Sequence, residues 1–145
     1  MRNLTRILSA SIALACLAAP VYVLAADKVV VSCSANVDYL LDGAVAEPYH
    51  KDFVVQPGVA FTDDFSTSTR EKIFTASLGR DAGNLVVSID YFNDVGVFHA
   101  IGISTKLTLH GSKGIETTSG SASFATSQGV VGNHVTNYTL SCHRI

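Results

Sequence analysis

No tryptophan occurs anywhere in the 145 residues, which removes one core marker of antibody-type domains. No stretch carries the long 3.6-residue apolar period that βαβ units require, so a parallel sheet is not expected. Internal repeats are absent too. Gly-x-Ser-x-Gly and Ser-x-x-Lys do not occur, and there is no phosphate-binding loop or dinucleotide fingerprint, so the usual signs of a hydrolase or nucleotide enzyme are missing. Only three glutamates exist, Glu47, Glu71 and Glu116, all in polar contexts, which gives little material for a carboxylate pair.

Cysteine is scarce and its placement is informative. Cys16 falls in an N-terminal segment that reads as a secretory leader: Arg2 and Arg6, an apolar stretch over residues 7–19, then Pro20 and Val23-Leu24-Ala25-Ala26. Small or short residues at Val23 and Ala25 predict cleavage before Ala26, giving a signal peptide over 1–25 and one exported domain over 26–145. Two competing readings are an uncleaved anchor, since about 20 apolar residues span a bilayer, and a lipoprotein modified at Cys16. Pro20 and the small-residue cluster speak against the first, and Ala13 where a lipobox prefers leucine speaks against the second.

Removing the leader takes away Arg2 and Arg6, leaving eight of the ten basic residues against twelve acidic ones, a net charge of −4. Such a surface disfavours nucleic acid and anionic membranes, and no membrane insertion is expected after cleavage. Two cysteines remain, Cys33 and Cys142, in a compartment that permits oxidation.

Both cysteines lie on the apolar side of a period-two pattern. In residues 28–41 Val29, Val31, Cys33, Ala35, Val37, Tyr39 and Leu41 alternate with mostly polar neighbours, which predicts a half-buried strand ending at an Asp42-Gly43 turn. At the other end Tyr138, Leu140 and Cys142 alternate with Asn137, Thr139 and Ser141. A Cys33–Cys142 disulfide between the first and last strands follows, joining them as sheet neighbours or across two facing sheets.

Between these ends, Pro48 marks an edge strand. Residues 66–79 admit a helix, because Ser68 and Glu71 have capping-box spacing, but the alternation of Phe74, Ala76 and Leu78 favours a strand. Leu85, Val87, Ile89 and Tyr91, followed by Val97, Ile101, Ile103, Leu107 and Leu109, read as a hairpin across Asn93-Asp94-Val95-Gly96. Placing both odd-numbered sets in the core demands an odd-length loop or a bulge at Gly96. The Gly-, Ser- and Thr-rich residues 111–133 suit solvent-facing strands with generous turns. The expected fold is therefore all-β, a single antiparallel sandwich or small barrel of about six to eight strands.

Candidate sites are few. The five histidines, His50, His99, His110, His134 and His143, form no close ligand pair, so no metal or other cofactor is expected. Asp63-Asp64 and Asn93-Asp94 lack regular calcium-loop spacing and read as structural turns. Cys142-His143 resembles a catalytic dyad only if the disulfide is ignored. Asn137-Tyr138-Thr139 is a glycosylation sequon, without meaning behind a bacterial-looking leader. With the odd residues in the core, Val86, Phe92, Phe98 and Ala100 face the other way and form a candidate binding patch.

These readings point to a non-enzymatic periplasmic or secreted interaction domain: an inhibitor, an adhesive subunit or an accessory protein of a surface assembly, with another protein as partner. The alternatives are a small barrel carrying an apolar ligand and, less favoured, a hydrolase with dispersed catalytic residues. Full donation of the first strand to another subunit conflicts with its tether at Cys33.

Overall fold

A computed structural model describes residues 29–96, 99–111, 114–124 and 133–145. The leader, Cys16, Val97, Phe98, Val130 and Val131 lie outside the described residues, as does the side chain of His99.

Among the described residues eight strands follow one another: β1 (Val31–Leu41), β2 (Ala44–Val55), β3 (Phe61–Asp64), β4 (Lys72–Asp81), β5 (Asn84–Gly96), β6 (His99–Leu109), β7 (Glu116–Phe124) and β8 (His134–Arg144). They form two four-stranded antiparallel sheets, ordered β2-β1-β8-β7 and β3-β4-β5-β6. The expected disulfide is present. Cys33 and Cys142 face each other directly in the β1–β8 ladder, with Cα atoms 4.1 Å apart. The bridge therefore joins neighbours within one sheet, the first of the two arrangements that the sequence allowed.

Period-two alternation dictates the core. Val31, Cys33, Ala35, Val37 and Tyr39 are buried from β1, and Phe74, Ala76 and Leu78 from β4. Leu85, Val87, Ile89 and Tyr91 from β5 meet Ile101, Ile103, Leu107 and Leu109 from β6, and all of these are buried. Tyr49, Phe53, Phe61, Phe65, Phe74 and Tyr91 make one aromatic cluster between the sheets, with ring centroids 4.8 to 6.2 Å apart.

The turns obey local chemistry. Asp42 (φ 51°) and Gly43 (φ 83°) link Leu41 to its partner Ala44, a two-residue hairpin of the kind that needs positive φ at both central positions. The Asp42 carboxylate accepts the Asn133 backbone N–H at 2.8 Å, which ties this turn to the start of β8. Residues 66–70 are not helical. Phe65 N–H donates to the Lys72 carbonyl and Thr67 N–H to the Arg70 carbonyl, closing a hairpin tip between β3 and β4. The β5–β6 register slips between Asp94 and Gly96, which is the bulge that the core parity required. One difference in extent is that Asn93 to Gly96 continue β5 instead of forming its loop.

Candidate functional site

Along one side of the sandwich, inward positions of β2 turn from apolar to polar and stitch the sheets together. Lys51 pairs with Asp63 at 3.0 Å, and the Tyr49 hydroxyl donates to Asp63 at 3.0 Å. Burial, reinforced by the Asp63 carboxylate, pushes the Tyr49 phenol well up. Next to them Glu47 gathers the densest polar cluster. Its carboxylate accepts from Arg70 at 2.5 Å, Lys72 at 3.0 Å and the Asn93 amide at 3.0 Å. Asn93 is fully buried. It also donates to the Tyr91 hydroxyl and accepts from Arg70, both at 3.0 Å. Arg70 completes its fork on the Asp94 carbonyl. Burial pushes the Glu47 carboxyl up, but the hydrogen bonds from Arg70, Asn93 and Lys72 overcome it and hold the pKa at about 2. With every polar atom facing another, this cluster has the character of a structural clasp between β2 and the β3–β4–β5 sheet.

Residues of the two acidic turns take part in this internal bonding. Asp63 belongs to the clasped side, the Asp64 carboxylate accepts the Ser66 backbone N–H at 3.0 Å, and Asn93 points into the core. Among the described residues no three His, Cys, Asp or Glu side chains converge as metal ligands. His134 is buried and bonded to the Tyr39 hydroxyl at 2.6 Å, while His110 lies on Glu116 at 3.0 Å.

The outer faces are where ligands have access. On the first sheet, a shallow groove of about 350 Å³ brings Ser32, Ser34, Asp52, Ser141 and His143 together with Ile115. A serine, a histidine and an aspartate share this face, and among the described residues no hydrogen bond joins His143 to a serine or to Asp52.

The second sheet carries the candidate interaction site. Cross-strand register aligns Ile73, Phe92 and Gly102 in one outward row and Thr75, Asp90 and Ser104 in the next. They line a groove of about 370 Å³, with Glu71 at its margin. A Cβ built on Gly102 would meet open space, so the missing side chain is what makes the hollow. Phe92 is 37% exposed beside it, an unusual position for a large aromatic on a sheet face. The carboxylates of Glu71 and Asp90 are both exposed and neither has a hydrogen-bond or ion-pair partner among the described residues. Lys106 stands one row beyond Ser104 on the same face.

The patch expected from the sequence is only partly assembled. Phe92 and Ala100 are exposed on this face, and Phe98 lies outside the described residues. Val86 shares the outward parity but is only 7% exposed on the central strand β5, where Gly79 and Thr108 flank it in register. It also sits six residues from Phe92, about 20 Å along the strand. Ile73, Gly102, Asp90 and Glu71 complete the site instead, and only cross-strand register identifies them. Comparison with known protein families and with characterised proteins finds no match for this chain.

Proposed function

We propose that the protein is a non-catalytic binding module of an exported compartment, and that the groove over Gly102 receives an extended peptide segment with an apolar side chain flanked by a cation. The observation that carries this reading is the pairing of an open apolar hollow, walled by Phe92 and Ile73, with two carboxylates, Glu71 and Asp90, that have no partner among the described residues. Buried apolar contact supplies affinity and the carboxylates select the charge of the partner. The disulfide supports an oxidising compartment. A carrier barrel is less well supported, because the space between the sheets is filled by fully buried side chains such as Phe74, Leu85, Ile89 and Leu140.

The test uses two labelled peptides, one alternating leucine with lysine and one alternating leucine with glutamate, titrated against the oxidised domain by fluorescence anisotropy. The lysine peptide is expected to bind and the glutamate peptide to bind at least about tenfold more weakly, a difference of 1.4 kcal/mol. Gly102→Leu fills the hollow from a position where a Cβ meets nothing. It should abolish binding with no fall in melting temperature. Equal binding of the two peptides, or unchanged binding by Gly102→Leu, would refute the proposal.

A further inference from the structure

Sheet edges expose unpaired backbone groups, and three of the four edges here carry recognised protections. On β2 these are Pro48, the inward Lys51 and a register slip at Tyr39/Leu40. On β3 the protection is its length of four residues. β6 carries Lys106 and faces the bulge at Asp94/Gly96. β7 has none of these. It runs nine residues as Glu-Thr-Thr-Ser-Gly-Ser-Ala-Ser-Phe, in unbroken register with β8, and contains no proline, lysine or arginine. Among the described residues no backbone hydrogen bond reaches its outer edge.

The disulfide fixes which backbone groups point outward. A Cα separation of 4.1 Å marks Cys33–Cys142 as a narrow, non-hydrogen-bonded pair, so the Cys142 N–H and C=O turn away from β1 and toward β7. Cys142 faces Glu116 in the β7–β8 ladder, so the even residues Glu116, Thr118, Gly120 and Ala122 bond to β8. The odd residues Thr117, Ser119 and Ser121 then present their N–H and C=O to the open side.

We infer that β7 pairs antiparallel with β7 of a second copy, about a two-fold axis at Gly120, merging two four-stranded sheets into one of eight. This register bonds outward-pointing residues only to outward-pointing residues, setting Ser119 opposite Ser121 and Thr117 opposite position 123. Short hydroxyl side chains then face one another on the outer side, a favourable cross-strand combination. The one charged residue of the strand, Glu116, falls opposite position 124 and never meets its own copy. The axis passes through a glycine pair at a narrow position, where side chains crowd most and glycine has none. On the inner face the Tyr138 ring lies over Gly120, 2.5 Å from where a Cβ would stand, so that side is sealed and the approach is edge-on. The contact is isologous and closed, as a two-fold dimer requires, and it is independent of the groove over Gly102.

Light scattering of the oxidised protein, diluted from about 1 mM to about 1 μM, is expected to give twice the single-chain mass at the upper end. Ser121→Pro removes one outward N–H and leaves the β8 ladder intact, a change that edge strands tolerate. Ser119→Lys places a protective charge on the same edge. Each variant should scatter as a single chain, with a melting temperature equal to that of the native protein at about 1 μM, where association no longer contributes, and Gly102→Leu should remain dimeric. A native protein of single-chain mass at about 1 mM overturns the inference, and so does a dimer that survives Ser119→Lys, whether or not Ser121→Pro folds.

Discussion

Replacing Glu47 with glutamine and unfolding both proteins in urea between neutral and strongly acidic pH measures what the clasp contributes. In the folded chain the Glu47 carboxyl titrates at about 2, against an ordinary value of 4.5. A depressed folded pKa contributes stability that is fully present above the unfolded value and is lost as the pH falls through the folded one. The window here runs from 4.5 down to about 2. At about 1.4 kcal/mol per unit, the difference corresponds to about 3 kcal/mol. Since the Glu47 side chain is 28% exposed, solvent screening makes this an upper bound. Hydrogen bonds from Ser66 also lower the Asp64 carboxyl, so the informative quantity is the difference between the two proteins. The native chain should lose up to about 3 kcal/mol more than Glu47→Gln across that window, and the two curves should run parallel above it. Curves that stay parallel throughout would show that Glu47 carries no coupled charge, and the account of the clasp would fail.

Cys33→Ser with Cys142→Ser opens a covalent loop of 109 residues, and the chain-entropy treatment puts the loss at about 4 to 5 kcal/mol, read from urea midpoints. Both half-cystines are buried, so in the native protein the bond should resist mild reductant until the domain unfolds. Gly120→Ala drives a methyl into the Tyr138 ring, with 2.7 Å to its carbons, and is expected to cost about 1 to 3 kcal/mol. Adding Tyr138→Leu should recover part of that loss in a double-mutant cycle.

Strands whose inner face is apolar throughout were legible from the chain alone. The odd-numbered run from Val31 to Tyr39 is buried as alternation demanded, while Leu41, 38% exposed, escapes because the sheet ends at the Asp42-Gly43 turn. Residues 66–78 were ambiguous because capping-box spacing and strand alternation both describe them. Tertiary context decided it: the hairpin tip lets Arg70 and Lys72 reach Glu47, and a helix there would have broken that convergence. The clasp itself left no sequence signal. Glu47, Arg70 and Asn93 are polar residues 23 to 46 positions apart, in stretches that read as edge strand, loop and turn. Asn93 in particular sat in an Asn-Asp pair with turn chemistry, yet it belongs to the inward parity of β5.

The groove was half legible for a related reason. Alternation alone puts Phe92 on the outer face, but the residue beside it depends on the register between β5 and β6. The end of the hairpin sets Gly96 opposite His99, and extending that register without interruption would place Phe92 opposite Ile103. An outward phenylalanine would then be paired with an inward isoleucine, and one strand's entire apolar set would have to face solvent. One extra residue between Asp94 and Gly96 restores parity and brings Phe92 beside Gly102. The bulge that keeps Ile101, Ile103, Leu107 and Leu109 in the core thus also opens the hollow on the other side of the sheet. Core packing and the candidate binding surface are two consequences of a single inserted residue, so a change that deletes Val95 should disturb both together.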